Sequence, residues 1–443
     1  MSSSKKHVLI LGGGFAGLYA AIHLEKTVAC DPDVEVTLVN RENFFLFTPM
    51  LHEVAASDLD ITHIVNPVRK LLKRVKFFDG EATRIDLTSR TVTVTHGIKE
   101  AHPHELKYDH LVLSLGSVTN FFNTPGLERH ALTMKSLGDA IDLRNRMIQH
   151  LEEADFECCP VERKPLLTFI VAGGGFAGVE TVASMNDFLR EAIRFYPNLK
   201  EEVLRLVLVQ LGPFILPELG PELGAFAAKK LSERKVEIRC NTGVTAVTEA
   251  GVHLSDGTTI SAGTLVWTAG TTPNPILESL ECRKHHGKLI VDEFMELEGW
   301  PGVWALGDCA LVPDQTTGEF CPPTAQHALR QGRVVAQNIT AAIRGDRKKP
   351  FVFSTIGQLA SIGRRTGVAR ILGVNFSGFI AWWLWRTIYL SKLPRLEKKL
   401  RVTLDWTLDL FFSKDLVKFG TQMKQTVAEL EGSDKLSAST AGD

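Results

Sequence analysis

An apolar run that stops abruptly in a cluster of glycines constrains this chain more than any other feature, and the chain contains it twice. His7–Leu11 leads into Gly12-Gly13-Gly14-Phe15-Ala16-Gly17, and Thr168–Ala172 leads into Gly173-Gly174-Gly175-Phe176-Ala177-Gly178. Each run reads as a buried parallel strand, and each cluster opens a small-residue segment that reads as a helix. In that context Gly12 and Gly173 permit a tight turn, Gly14 and Gly175 let the backbone approach a pyrophosphate, and Gly17 and Gly178 let helix and strand pack closely. The phosphate charge then meets a helix N-terminus. A single such loop can be a purely structural turn. Two in the same context imply two dinucleotides on one polypeptide.

The surroundings repeat as well. Val34–Val39 reads as the second strand of the first unit and ends at Asn40, with Arg41 beside it, where an acid usually binds an adenosine ribose hydroxyl. Leu206–Val209 plays the same part in the second unit and ends at Gln210, which removes the repulsion an acid would offer a 2′-phosphate. Tyr108–Leu115 ends in Gly116 and Thr264–Ala269 ends in Gly270. Before them, Thr83–Thr95 alternates like antiparallel strands, and Val236–Ile260 is a mixture of strands and turns. The parallel predicts an α/β protein of two Rossmann-like dinucleotide-binding domains, each with a β-rich insertion. A further short strand, Gly302–Leu306, runs into Gly307 and Asp308. The carboxyl end of such a strand faces the ligand crevice, so Asp308 is placed either to hold a polyol or ribityl hydroxyl or to cap a following helix. The expected order is a first unit over residues 1–130, a second inserted over 160–285, and a return to the first over 286–350.

Length and composition set the remaining bounds. A chain of 443 residues exceeds one ordinary domain, and 50 basic against 51 acidic residues leave a formal net charge of −1, with no electrostatic case for nucleic acid. The seven cysteines form no CxxC pair, and Cys158 and Cys159 are adjacent, so neither a metal site nor a disulfide framework is expected. Met1–Lys6 runs directly into the first strand, which predicts no signal peptide and a start on the cytosolic side. Residues 426–443, rich in Ser, Gly and Asp towards the end, are expected to be a disordered tail.

Residues 351–425 differ in character. Ile371–Leu390 is apolar and aromatic, with Trp382, Trp383, Trp385 and Tyr389, but Asn375, Ser377 and Arg386 interrupt it and no second span follows. Lys392, Arg395, Lys398, Lys399 and Arg401 come next as a basic cluster. Tryptophan at the headgroup boundary with basic residues alongside predicts helices lying in a membrane interface. The other reading of the segment is a buried core or dimer helix.

Together these features resemble the two-dinucleotide flavoprotein superfamily. Three further stretches resemble the type II NADH:quinone oxidoreductases, the single-subunit NADH dehydrogenases: Asn43–Ala55, Pro323–Gly332 (similar to that family's Ala-Gln-x-Ala-x-Gln quinone motif), and the aromatic segment Phe376–Trp406. The resemblance implies FAD on the first unit, at Gly12, Gly14, Phe15, Ala16, Gly17, Asn40, Arg41, Gly116, Gly307 and Asp308. It implies NADH on the second, at Gly173, Gly175, Phe176, Gly178, Gln210 and Gly270, with NADPH not excluded. Ala325 and Gln326 match contacts to quinone and isoalloxazine. The motif's last Gln is Arg330 here, with Gln331 next to it, so Gln326, Arg330 and Gln331 are the candidate quinone contacts. Glu180 matches the carboxylate that the family places near flavin and nicotinamide.

The implied reaction passes a hydride from NADH to flavin and two electrons on to a membrane quinone. Proton pumping is not expected, because no multi-helix membrane domain is present. The setting expected is the cytoplasmic face of a bacterial plasma membrane, with peripheral attachment, and a homodimer is left open. Glu180 and Gln326 are the candidate catalytic residues. A carboxylate among apolar neighbours holds its proton to higher pH and suits a proton relay; the alternative is a structural carboxylate bonded to backbone amides. Gln326 can both donate and accept, or simply cap a helix. His327, His52 and Glu53 are proton carriers or core residues. A sulfide:quinone oxidoreductase or a disulfide reductase would need paired redox cysteines, which the spacing does not supply, and a slow NADH-binding sensor would not need the quinone-like motif.

Overall fold

The computed structural model describes residues 5–97 and 101–419; the expected tail 426–443 lies outside the described residues. The first unit is built on a five-stranded parallel sheet in the order Val303–Ala305, His110–Leu113, Lys6–Leu11, Val34–Asn40, Lys76–Asp79. The second repeats it as Leu132–Thr133, Thr264–Trp267, Thr168–Ala172, Arg205–Val209, Val236–Arg239. Buried on both faces, these strands are the Val/Ile/Leu runs seen in the sequence. Each unit carries an antiparallel three-stranded insertion, Glu81–Lys107 in the first and Val244–Ile260 in the second. The duplication is therefore real.

After the second unit, Val303–Ala305 pairs with His110–Leu113 in the first sheet. The boundary expected at residue 160 moves back, however. Leu132–Thr133 already pairs with Thr264–Trp267 in the second sheet, and the Leu137–Phe156 helix follows it, started by a capping box between Ser136 and Asp139. An edge strand of two residues carries too little pattern to be read in advance.

Residues 371–378 correct a second expectation. They are strand, not interfacial helix: Gly357–Ser361, Gly367–Ile371 and Val374–Gly378 form an antiparallel sheet. The two-residue turn uses Leu372 and Gly373, both at positive φ (50° and 83°), as a tight hairpin demands. Helices Phe379–Lys392 and Leu396–Leu408 then follow. Among the described residues no helix is long and apolar enough to cross a membrane.

The Ala325–Arg344 helix lies across the Phe15–Glu25 helix, and closeness is set by one glycine. A Cβ at Gly332 would stand 2.3 Å from Ala16 O and 2.8 Å from Ala20 N. Gly332→Ala should push the helices apart and cost roughly 1–3 kcal/mol, the usual range for overpacking. A thermal melt of the purified protein checks this; an unchanged midpoint would mean that the helices have slack.

Candidate active site

Both glycine loops have the geometry their spacing predicts. A Cβ at Gly17 would lie 1.9 Å from Gly12 O, and one at Gly178 would lie 1.8 Å from Gly173 O, so neither position admits a side chain. Gly14 faces open space, and Gly175 meets only Glu218 Oε1 at 3.6 Å. These residues are the N-caps of the Phe15–Glu25 and Phe176–Ala192 helices, and neither helix has a side-chain cap. Free amides and an unblocked approach make each a seat for a pyrophosphate.

The supports behind the loops match residue for residue. Ser114 Oγ donates to the carbonyls of Leu11 and Gly12 (2.8 and 3.1 Å), and Thr268 Oγ1 donates to those of Ala172 and Gly173 (2.9 and 3.3 Å). Asn40 Oδ1 accepts from Gly13 N–H, and Gln210 Oε1 accepts from Gly174 N–H, each at 2.8 Å. The amides that stand in place of acids therefore brace the loops. Arg41 is exposed next to Asn40. Gly116 and Gly270, both at positive φ, start the short strands Ser117–Thr119 and Thr271–Pro273, which pair with each other and join the two units.

Phe15 packs against Phe45 and Phe47, while Phe176 is half-buried at the start of its helix. Ala16 sits under Gly307, whose Cβ would meet it at 3.2 Å. Asp308 is half-buried and accepts from Ser117 Oγ at 2.9 Å, and Lys135 Nζ donates to Ser117 as well. It caps no helix through its side chain; Gly307–Cys309 is only a single 3₁₀ turn.

The Ala325–Arg344 helix brings the quinone-like motif to the same side. Gln326 Nε2 donates to Gly357 O at 3.2 Å, and Arg330 donates to Gln326 O at 2.7 Å with its guanidinium 4.0 Å from the centre of the Phe353 ring. Gln331 does not join them. It is buried, and its Oε1 accepts from Gly307 N–H at 2.9 Å, so it holds the Gly307–Asp308 turn and has no free face for a headgroup. His327 is buried too, bonded to Thr324 Oγ1 and packed against Phe353.

Glu180 is where all three parts of the chain meet. Its Oε1 accepts from Ser361 N–H at 3.0 Å and from Trp385 Nε1 at 2.9 Å, and its Oε2 lies 3.8 Å from His52 Nε2. Glu53, one turn of helix from the first unit, is held in the same manner by Trp406 Nε1 at 3.2 Å, with Arg386 at 4.0 Å. Burial pushes both carboxyls up to about 8, against the pull of those donors and, for Glu53, of Arg386. Burial pushes His52 down to about 3, so the imidazole is neutral and faces a carboxylic acid rather than forming an ion pair.

The indoles were not legible as site residues. Trp385 is completely buried and Trp406 nearly so, whereas Trp383, on the opposite face of the same helix, is 54% exposed. The signal lay in helical spacing: Ala381, Trp385 and Tyr389 fall on one face. Lys398, read as part of a lipid-facing basic cluster, is buried and donates to Thr62 O at 2.6 Å. Lys392 and Arg401 stay exposed, and with them a row of Leu396, Leu400, Leu404 and Leu408, continued by Phe411 and Phe412.

Two phosphate seats in units joined by a bridging ribbon, with a buried acid on the second seat's own helix, fit a pyridine nucleotide-dependent flavoprotein. The sequence pattern of the pyridine nucleotide-disulphide oxidoreductase family matches residues 6–332, and that of the NDH2 C-terminal domain matches residues 356–415. A type II NADH:quinone oxidoreductase of Mycobacterium tuberculosis is 30% identical over 462 residues, spanning 99% of this chain and 96% of its own. A probable NADH dehydrogenase of Dictyostelium discoideum is 30% identical over 93% of this chain and 91% of its own. The chain thus belongs to the type II NADH:quinone oxidoreductase family and is an enzyme of that class. In fold it is similar to NDH2 from Plasmodium falciparum in complex with NADH, with a TM-score of 0.87 over 94% of this chain and 100% of that one at 19% identity. A sulfide:quinone oxidoreductase of Aquifex aeolicus shares the fold at a TM-score of 0.68 and 18% identity, over 94% of this chain and 100% of that one.

The raised acids have a consequence for stability. At low pH both folded and unfolded chains hold these protons. As pH climbs from the ordinary 4.5 towards about 8, the unfolded chain releases protons that the folded one keeps, so this contribution to stability is lost. Relative to a Glu53→Gln/Glu180→Gln protein, the wild type should therefore lose at least about 4 °C of melting temperature between pH 5 and pH 8. Parallel curves for the two proteins would show that the acids are ionised in the fold.

Proposed function

We propose that this enzyme takes a hydride from NADH and delivers two electrons to a membrane quinone by way of FAD, without pumping protons. The observation that carries the reading is the convergence on Glu180 of the second glycine loop's helix, the first unit's His52 and the C-terminal unit's Trp385. A bound flavin would supply the two-electron chemistry.

The residues present fit the groups required. Gly12, Gly14 and Gly17 shape a loop that leaves the first amides of the Phe15–Glu25 helix free for the FAD pyrophosphate, and Asp308, braced by Ser117, offers an acceptor to a ribityl hydroxyl. Gly173, Gly175 and Gly178 do the same for the nicotinamide nucleotide. Gln210 puts no negative charge near the adenosine ribose, so NADPH is admitted as a second donor. Gln326, fixed by Gly357, and Arg330, fixed over Phe353, present polar groups to a quinone at the start of the Ala325–Arg344 helix. Glu180 holds a proton in an apolar setting and can give it up when a quinone oxygen gains charge. Anaerobic stopped-flow absorbance tests this: NADH should bleach the flavin and a short-chain quinone should restore it. Glu180→Gln should leave bleaching intact and slow restoration roughly 10²-fold. No bleaching by NADH would sink the reading, and equal restoration by Glu180→Gln would remove Glu180 from it.

Attachment at the cytoplasmic face of a membrane is part of the proposal. Leu396, Leu400, Leu404 and Leu408 stand one turn apart and are 44% to 71% exposed, with Phe379, Ile380 and Trp383 exposed on the neighbouring helix. A ridge of this kind buries well in the acyl boundary and brings the site to a lipid-soluble substrate. Leu400→Asp/Leu404→Asp should weaken binding to anionic vesicles by at least roughly tenfold per residue, given about 1.5–3 kcal/mol for each leucine buried. Co-sedimentation measures it; unchanged binding, or a dimer that dissociates in the variant, would reassign the ridge to a second copy.

A further inference from the structure

Glu180 needs a source of protons, and its two oxygens are not equivalent. Oε1 is committed to Ser361 N–H and Trp385 Nε1. Oε2 faces His52 Nε2, and that nitrogen is buried without any hydrogen-bond partner. The other ring nitrogen, Nδ1, lies 2.9 Å from Ser184 Oγ. Ser184 sits one helical turn beyond Glu180 on the Phe176–Ala192 helix, so both residues address the same imidazole.

Behind this pair lies a cavity of about 190 Å³. His52, Glu53 and Ser184 form its inner wall, and the exposed Arg194, Arg364 and Arg365 line its outer end. The volume suits several waters, and the walls offer them polar partners. Solvent thus reaches Ser184 through this cavity.

Resting on the reading of Glu180 as the proton donor, we infer that Ser184 and His52 form the proton inlet of the enzyme, joining the arginine-lined cavity to Glu180 Oε2. A water in the cavity gives a proton to Ser184 Oγ as the serine O–H passes its own to His52 Nδ1, and His52 Nε2–H passes one to Glu180 Oε2. The hydroxide left in the cavity is neutralised by solvent at its arginine-lined outer end, so one proton enters, one arrives, and no charge stays on the serine. The ring ends as the Nδ1–H tautomer, and water returns it to the Nε2–H tautomer before the next transfer, one proton leaving Nδ1 as another joins Nε2. A neutral imidazole is required for this, which agrees with the burial of His52. The 3.8 Å between Nε2 and Oε2 closes with a small ring rotation or one bridging water.

Two readouts test the inlet in Ser184→Ala and His52→Gln proteins that retain their flavin. In stopped flow, bleaching by NADH should match wild type, while restoration by a short-chain quinone should slow roughly tenfold or more, with Ser184→Thr restoring it. Independently of any quinone, the infrared carbonyl band of the Glu180 carboxylic acid, identified by its loss in Glu180→Gln, should shift on transfer to D₂O. That shift should be at least roughly tenfold slower in both variants. Wild-type exchange rates in both variants would overturn the inlet. If wild-type flavin were never restored by quinone, the proposed function would fall, and the infrared rates would still decide the inlet.

Discussion

The bonds made by the Glu180 carboxyl hold the site in one piece. A carboxyl taken out of water with no partners costs several kcal/mol, and two terms offset that here: the group keeps its proton, and its Oε1 receives two donors. Those donors come from the C-terminal sheet and helix, while the acid comes from the second glycine loop's helix. Glu53 repeats the arrangement from the first unit, with Trp406 as donor. Three stretches distant in sequence are therefore tied through two buried acids. The C-terminal region makes the acids what they are, because its indoles and backbone bury them.

Duplication explains the scaffold, and its imperfections explain the division of labour. Ser114 and Thr268 do the same work, as do Asn40 and Gln210. The units diverge beyond the fourth strand of each sheet. The first gains Val303–Ala305, the Gly307–Asp308 turn and the long Ala325–Arg344 helix locked against Gly332. The second ends in the two-residue strand Leu132–Thr133. More covering structure on the first side suits a resident cofactor, and less on the second suits a substrate that must come and go.

What could be read in advance follows from which signals are local. The glycines were legible because backbone clearance at Gly17 and Gly178 forbids every other residue, and such constraints leave a fixed spacing. The buried strands were legible from their uninterrupted apolar runs. Asn40 and Gln210 stand out as departures at strand ends, but their bonds to Gly13 and Gly174 are tertiary and no spacing encodes them. Gln331 stands beside the motif as a candidate quinone contact, but the Gly307 N–H claims its side chain. The tryptophans misled most: composition reveals that aromatic residues are dense, and only the helix axis shows that Trp385 turns inward while Trp383 turns out. The Leu372–Gly373 turn hid a hairpin within what looked like one apolar helix.

That inward and outward division would couple the proposed attachment to chemistry. The Phe379–Lys392 helix fully buries only Ala381 and Trp385 against the rest of the protein, has no side-chain cap, and is fourteen residues long. A helix of that length is marginal on its own in water. Contact between its outer face and lipid, as proposed above, would add the burial that keeps it in place. The same helix positions the indole that holds Glu180 and the guanidinium that stands beside Glu53, stacked between Trp382 and Trp406. Loss of the helix would expose both acids to water, return them to the ordinary carboxylate range, and leave them ionised at neutral pH. On the proposed attachment, proton storage at the site and seating on the membrane become two faces of one short helix.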